Sequence, residues 1–311
     1  MAALVFDFGT TALKTLLFDE KYRVAAQESV DFSYDHPAPG RIECSPWRYA
    51  EAMFRAGRAV LRGRRVSRIA VTGQAETLIC TDADYRPLGS AIVWLDTRAR
   101  EDAARLEGLL PELYARTGNP AVDPVMPLAK LPWLRREEPE RYAACAHALL
   151  LHDWILYLLT GRAAAEYGVL SCSGYFDIRK KRYDRELLAL SGIDEALLAE
   201  PLPPSVRVGG LTADAAAALG LPAGTEVSNG MLDQCASALG AGNIRPGVVT
   251  ETTGTVLALG ATLTAFEPER MRVPVLCHGV PERYLALPNC PTAGMLYKWY
   301  VREFLGGIPF D

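Results

Sequence analysis

Asp7 is the first residue whose setting suggests chemistry, because it interrupts the apolar stretch LVFDFGTTALKTLLFD at residues 4–19. A carboxylate is costly to bury there unless a partner such as a metal ion pairs with it. The corner that follows, Gly9, Thr10 and Thr11, offers N–H groups and hydroxyls suited to phosphate oxygens. The alternative is an ordinary hairpin turn in which these residues have only a conformational role.

Asp233 is the second such carboxylate and lies in SNGMLDQCASALGAG, at the predicted start of a helix after a glycine-containing turn. One interpretation is a helix N-cap, a position that Asp fills well. The other is a general base, kept ionised by the helix dipole and presented to a cleft. In phosphoryl transfer, an Asp accepts the proton of the attacking hydroxyl while metal and backbone donors hold the phosphates.

Further polar groups follow two predicted strands, in VTGQAETL and IVWLDTRA. Gln74, Glu76, Asp96 and Arg98 would lie at strand ends, where α/β folds place ligands. Gln, Glu and Asp are side chains that bind hydroxyls. For Asp96 and Arg98, a structural ion pair is the alternative.

Two aromatic residues near these groups have two interpretations each. Trp94 is a core residue or a platform for a sugar ring, and Tyr167 borders a cleft or simply packs. The sequence alone leaves both pairs of alternatives open.

The elements that would position these residues form an α/β chain. Residues 4–9 and 13–18 predict a hairpin, a helix is expected from Ser45 and Pro46, and residues 99–160 read as helical, including the apolar ALLLHDWILYLLTG. TETTGTVLALG near residue 250 repeats the strand–Gly-Thr–strand pattern of the opening hairpin. The repetition suggests two similar domains that face each other.

Composition narrows the classes of function. A chain of 311 residues suggests two domains, and a net charge of -4 disfavours a nucleic-acid partner. Seven cysteines without a CxxC pair, and a start without a basic n-region, favour a reduced cytoplasmic compartment. No stretch is apolar and long enough for a membrane span. Neither a P-loop nor a GxGxxG motif occurs, which disfavours P-loop enzymes and dehydrogenases.

Taken together, the motifs resemble the FGGY carbohydrate kinase family, which includes glycerol, xylulose and gluconate kinases. The resemblance covers residues 1 to about 304 and depends on eight segments in family order: DFGTTALKTLLFD, GRIECSPWRYAEAM, VTGQAETL, WLDTRA, KLPWLRREEPERY, LTGRAAAEYGVLSCSGYFD, NGMLDQCASALGAG and ETTGTVLALG.

The resemblance implies an actin- and hexokinase-like (ribonuclease H-like) fold, with a mixed sheet flanked by helices in each of two domains around a cleft. It implies ATP and Mg²⁺ as cofactors and a small sugar or polyol as substrate, and it allows a homodimer. The implied roles are a general base at Asp233, a metal-orienting carboxylate at Asp7, phosphate contacts at Gly9, Thr10, Thr11, Lys14, Gly254 and Thr255, and sugar contacts at Gln74, Ala75, Glu76, Asp96, Tyr167 and Gln234.

Departures from the family pattern bear on the substrate and on the domains. Ala75–Glu76 replaces the Met-His of xylulose kinases and the Arg-Glu of glycerol kinases. We expect a sugar-binding domain at 1–245 and an incomplete nucleotide-binding domain at 246–311. The predicted function is ATP-dependent phosphorylation of a ketopentose-type sugar or related polyol. The alternative is a non-catalytic sugar-binding module of the same fold.

Overall fold

The computed structural model describes residues 2–108, 112–253, 257–290 and 292–306. Gly254 and Thr255, the predicted second phosphate turn, lie outside these ranges. The strands, in chain order, are β1 (Ala3–Phe8), β2 (Ala12–Phe18), β3 (Val24–Asp31), β4 (Glu43–Cys44), β5 (Arg68–Gly73), β6 (Leu78–Thr81), β7 (Ala91–Ile92), β8 (His147–Leu150), β9 (Ala164–Glu166), β10 (Phe176–Asp177), β11 (Arg182–Tyr183), β12 (Glu200–Leu202), β13 (Arg207–Gly210), β14 (Glu226–Leu232), β15 (Val249–Thr253), β16 (Leu257–Leu263), β17 (Val275–Cys277), β18 (Tyr284–Ala286) and β19 (Asn289–Cys290).

The helices alternate with these strands, as expected for an α/β chain. They are α1 (Pro46–Leu61), α2 (Arg100–Glu107), α3 (Leu113–Thr117), α4 (Pro127–Glu137), α5 (Pro139–Ala144), α6 (Leu151–Thr160), α7 (Tyr167–Ser171), α8 (Arg185–Ser191), α9 (Ala213–Leu219), α10 (Asp233–Gly240) and α11 (Gly294–Phe304), with a short 3-10 helix at Glu195–Leu197.

The largest sheet is mixed and has the strand order β13-β14-β5-β1-β2-β3. Strands β14, β5 and β1 are parallel, whereas β2 and β3 continue the sheet as the predicted antiparallel hairpin and its neighbour. Alternate residues of β1, including Leu4 and Phe6, are buried on one face of the pleat. Helix α1 packs over β2 and β3, and α6 packs against β5 and β14. The mixed sheet with flanking helices confirms the predicted fold class.

Two glycines let the central strands approach closely. Gly73 ends β5 with φ at 150°, and a Cβ there would lie 2.5 Å from the Phe8 carbonyl oxygen. Gly230 has φ at 58°, within a register shift of β14, and a Cβ there would lie 2.0 Å from the Val71 carbonyl oxygen. A side chain at Gly73 would therefore push β5 away from β1, which carries Asp7, and one at Gly230 would push β14, which leads into Asp233, away from β5.

A second sheet, of order β4-β7-β6-β8, corrects one expectation. Residues 147–150, predicted as part of a long helix, form strand β8, which pairs with β6. Helix α6 begins only at Leu151, where the Asp153 carboxylate accepts the Leu150 N–H at 3.0 Å. A short apolar run suits either a buried strand or a buried helix, so periodicity could not separate them.

The later part of the chain forms a separate sheet in which β15, β16, β18 and β17 are neighbours and β19 also pairs with β16. It joins the earlier part through β17, where Val275 N–H donates to Gly118 O at 2.9 Å and Cys277 N–H donates to Ser171 Oγ at 3.0 Å. The boundary expected near residue 246 stays a prediction. None of the helices described combines the length and apolar character needed to cross a bilayer.

Candidate active site

The site lies where three parallel strands end side by side. In the register of the sheet, Phe8 of β1 and Leu232 of β14 both lie opposite Gly73 of β5. The residues that follow each strand therefore meet at one edge of the sheet. This edge brings together the turn after Asp7, the loop that starts at Gln74 and the start of α10 at Asp233.

Asp7 is half-buried on β1, opposite Lys14 of β2 and Thr72 of β5. Burial raises the pKa of its carboxyl, and the positive charge of Lys14 opposes that rise. Within the part of the chain that the structure describes, no hydrogen bond or salt bridge satisfies this carboxylate. It is thus a partly desolvated acid without a protein partner there, which is the setting that a cation would complete.

Asp233 is the first residue of α10 and is half-buried. Its Oδ1 accepts the N–H of the next residue, Gln234, at 2.6 Å, and Leu232 occupies the N-cap position. Asp233 is therefore not the N-cap that one interpretation assigned to it. Burial raises its pKa to about 7, the Gln234 bond opposes that shift, and the charge of Asp7 adds to it. Desolvation thus outweighs the helix dipole, which we had expected to keep this carboxylate ionised.

Glu166 supports the start of α10, a role that sequence analysis did not assign. Its side chain is 1% exposed, and Oε1 accepts the Gly168 N–H at 2.8 Å. Oε2 accepts the N–H groups of Val169 at 3.0 Å and Leu232 at 3.2 Å. One carboxylate thus caps α7 and holds the residue just before Asp233. The available sequence signal was a carboxylate directly before the segment that forms α7, which was not predicted as a helix.

Gln74 connects the end of β5 to the turn after β1. Its main-chain N–H donates to Phe8 O at 2.9 Å, and its side-chain Nε2 donates to Gly9 O at 3.1 Å. Its Oε1 accepts the Thr77 hydroxyl at 2.7 Å. The amide predicted to bind sugar is therefore already bonded on both sides within the protein, and it is buried.

Glu76 follows the buried Ala75 and adopts φ of 65°, a strained conformation for a residue with a side chain. The fully buried Lys130 holds this backbone by donating to Glu76 O at 2.9 Å and to Val93 O at 3.0 Å. Burial raises the pKa of the half-buried Glu76 carboxyl, against the charge of Lys130, and lowers the pKa of Lys130. Lys130 is a second residue that sequence analysis missed, since a lysine within a helix usually faces water.

Asp96 forms the structural ion pair with Arg98 that was one of the two alternatives left open by the sequence. Its side chain is 0% exposed, and it forms a salt bridge with Arg98 at 2.8 Å. Its Oδ2 also accepts the Ile42 N–H at 2.6 Å, and Arg98 extends the ion pair to Glu43 at 2.6 Å. The structural ion pair therefore has direct support, and the sugar contact expected of Asp96 stays a prediction.

Trp94 is half-buried, and both of its N–H groups are bonded. The main-chain N–H donates to Thr77 Oγ1 at 3.0 Å, and the indole Nε1 donates to Thr10 Oγ1 at 3.2 Å. The Tyr34 hydroxyl donates to the Thr10 carbonyl. Trp94 also packs against the hydrophobic core, which supports the core alternative, and its indole N–H holds the turn. The role as a sugar platform stays a prediction.

The other predicted residues differ in accessibility. Thr11 and Lys14 are exposed, and Tyr167 and Gln234 are half-buried. The Tyr167 ring packs 5.4 Å from the Phe176 ring, centroid to centroid. The packing alternative for Tyr167 therefore has direct support, while its predicted contact with sugar stays a prediction.

Comparison with known proteins places this geometry in a family. Residues 2–240 match the model of the FGGY family of carbohydrate kinases, N-terminal domain. The chain is 28% identical to a xylulose kinase of Lactococcus lactis, over 99% of this chain and 62% of that protein. It is 32% identical to an L-xylulose/3-keto-L-gulonate kinase of Escherichia coli, over 77% of this chain and 50% of that protein.

Solved structures agree with the sequence matches. The structure of a xylulose kinase from Rhodospirillum rubrum superposes with a TM-score of 0.94 at 27% identity, covering 99% of this chain and 64% of that one. The chain thus spans less than two thirds of the length of these relatives. On the match of residues 2–240, the chain belongs to the FGGY family of carbohydrate kinases.

Proposed function

We propose that this chain provides the sugar-binding and general-base part of an ATP-dependent kinase for a sugar or polyol. The observation that carries the proposal is the pair Asp7 and Asp233 at one sheet edge. Burial raises the pKa of both carboxyls, and the negative charge of Asp7 raises the pKa of Asp233 further. A positively charged ligand group and a substrate hydroxyl are the partners that such a pair lacks.

Asp233 is the proposed general base. A base works best when its pKa is close to the working pH, and burial raises the pKa of Asp233 to about 7. It would accept the proton of the substrate hydroxyl as that oxygen attacks the γ-phosphorus of ATP. The bond that forms joins this oxygen to phosphorus, and the bond that breaks releases ADP.

The turn after β1 is the proposed phosphate contact. Thr10 and Thr11 present main-chain N–H groups and hydroxyls at the sheet edge, with the exposed Lys14 on the next strand. The Gly9 N–H donates to Ala12 O at 3.0 Å and so closes the turn that presents these donors. Asp7 is suited to hold Mg²⁺, since it is a half-buried carboxylate beside that turn and makes no hydrogen bond or salt bridge to the residues that the structure describes. When bound, Mg²⁺ would neutralise charge on the phosphate chain. The roles of Gly254 and Thr255 stay predictions.

The proposed substrate is a ketopentose-type sugar or a related polyol. Glu76, Tyr167 and Gln234 are the half-buried polar residues predicted to contact it. Ala75 places no positive charge beside Glu76, which favours a neutral hydroxylated molecule over a sugar acid. Two of the matched relatives are named for xylulose or L-xylulose. A cytoplasmic location and a homodimer stay predictions.

A screen and a rate measurement test the proposal. Thermal shifts are recorded with D-xylulose, L-xylulose, glycerol and gluconate in the presence of Mg-ATP, and ADP release is then measured with each stabilising compound. We expect ADP release that depends on the sugar and falls at least a hundredfold in Asp233→Asn and Asp233→Ala, on the order of a lost general base, while sugar binding persists.

Two outcomes would count against the proposal in different ways. Normal turnover in Asp233→Asn would remove Asp233 from the role of base. Sugar-induced stabilisation without ADP release under any condition would instead favour a non-catalytic sugar-binding module.

A further inference from the structure

We propose that Trp94 and Gln74 are positioning residues that fix the phosphate turn and direct the Thr10 hydroxyl hydrogen toward a bound phosphate group. The proposal rests on the proposed kinase function and adds two residues with a defined task. Neither task is a contact with sugar or nucleotide.

The direction of each hydrogen bond follows from the groups involved. An indole N–H can only donate, so Thr10 Oγ1 is the acceptor in the 3.2 Å contact with Trp94 Nε1. Among the described residues, no acceptor takes the hydroxyl hydrogen of Thr10. That hydrogen is therefore free to donate to a phosphate oxygen, and the indole N–H occupies one of the two Oγ1 lone pairs, which restricts the directions that the hydroxyl hydrogen can take.

The Trp94–Thr10 hydrogen bond is the first path that holds the turn. A second path is a series of hydrogen bonds that starts at the main chain of Trp94 and ends at Gly9, the residue before Thr10. The main-chain N–H of Trp94 donates to Thr77 Oγ1 at 3.0 Å, which leaves the Thr77 hydroxyl hydrogen to donate to Gln74 Oε1 at 2.7 Å. The Gln74 amide is thereby oriented with Nε2 toward Gly9 O, at 3.1 Å. A carbonyl oxygen can only accept, so every bond in the path has one consistent direction.

The two paths hold the turn from both sides of its corner. One fixes the Gly9 carbonyl and the other fixes the Thr10 side chain, while the Tyr34 hydroxyl holds the Thr10 carbonyl. Main-chain and side-chain groups of the turn are thus bonded before any ligand arrives. Such preorganisation lets donors bind an anion without first being ordered.

The test compares variants that each remove one path. Trp94→Phe keeps an aromatic ring and removes the indole N–H, and Gln74→Met keeps side-chain length and removes the amide. Trp154→Phe is the matched control, because its indole N–H donates to Tyr85 O at 3.2 Å, away from the turn. The probe is inorganic triphosphate with Mg²⁺, and its dissociation constant is measured by calorimetry on the 311-residue chain.

We expect triphosphate to bind about 3- to 10-fold more weakly in Trp94→Phe and Gln74→Met, as for one lost hydrogen bond, and equally well in Trp154→Phe. The indole ¹H–¹⁵N resonance that Trp94→Phe deletes should shift when triphosphate is added to the unmodified protein, whereas the Trp154 resonance should not. A structural role alone would not produce that selective shift.

Wild-type affinity in both variants, or an equal loss in the control, would overturn the proposal. If Trp94→Phe does not fold, Thr10→Val and Thr10→Ser decide: only the valine should speed solvent exchange of the Trp94 indole hydrogen. Sugar-dependent turnover that is unaffected by either variant would refute this inference while leaving the kinase intact. No turnover and no triphosphate binding in the unmodified protein would refute both.

Discussion

Replacing Asp233 with asparagine should make the protein more stable, and the gain should grow with pH. Burial raises the pKa of Asp233 from 3.8 to about 7. Between these values the folded state retains a proton that the unfolded state has released, so stability falls as pH rises through this range. A rise of roughly three pKa units corresponds to about 4 kcal/mol of unfolding free energy. We expect Asp233→Asn to gain about 2 kcal/mol of stability at high pH, because the residue is only half-buried.

Urea denaturation of Asp233→Asn and the unmodified protein at several values between about pH 4 and pH 8 measures this difference. Asp214→Asn is the matched control, since Asp214 also lies in the first turn of a helix but is exposed. Asp214→Asn should lower the free energy of unfolding by up to about 1 kcal/mol, because it removes a favourable interaction between the carboxylate and the helix dipole, and it should not become more stable at high pH. A free-energy difference for Asp233→Asn that does not change with pH would refute the assigned burial of this carboxyl.

Three further predictions address the rate, the strand junction and the buried lysine. Sugar-dependent kcat/KM should rise with pH through about 7 and then level off, because the base must lose its proton. Asp233→Asn should abolish this pH dependence. A flat pH profile in the unmodified protein would contradict the assignment of Asp233 as the base. Gly230→Ala should lower the free energy of unfolding, measured by urea denaturation, by at least about 3 kcal/mol more than Gly220→Ala does. Both glycines have positive φ, but only Gly230 lies against a neighbouring strand. Lys130→Met should lower the free energy of unfolding by about 2 kcal/mol and weaken sugar binding measured by calorimetry, because the Glu76 carbonyl loses its donor. Unchanged sugar affinity would show that Lys130 does not support the site.

Much of the fold could be predicted from local sequence patterns. The opening hairpin was recognisable from the alternation around Gly9, and α1 from Pro46 at its first turn. Ser45, where we expected the helix to begin, occupies the N-cap position, although its hydroxyl makes no capping bond. These features depend on neighbours within a few residues, which is the range that sequence patterns report.

Features set by distant contacts could not be predicted in the same way. Strand β8 forms because its apolar residues pair with β6, about 70 positions earlier in the chain. Glu166 reaches Leu232, and Trp94 reaches Thr10, across similar separations. The pKa of Asp233 likewise depends on burial by the whole sheet edge, so the helix start alone gave the wrong direction.

The central claim is that the half-buried carboxylate of Asp7 and the turn beside it receive a metal–polyphosphate group facing Asp233. The most direct test replaces Mg²⁺ with paramagnetic Mn²⁺ in the presence of ATP and follows backbone amide resonances. Selective broadening of Phe8–Thr11 and of Asp233 and Gln234, with the remote Glu186 and Leu187 unaffected, is the predicted result. Broadening that spares the turn after β1, or that is equal throughout the protein, would contradict the account.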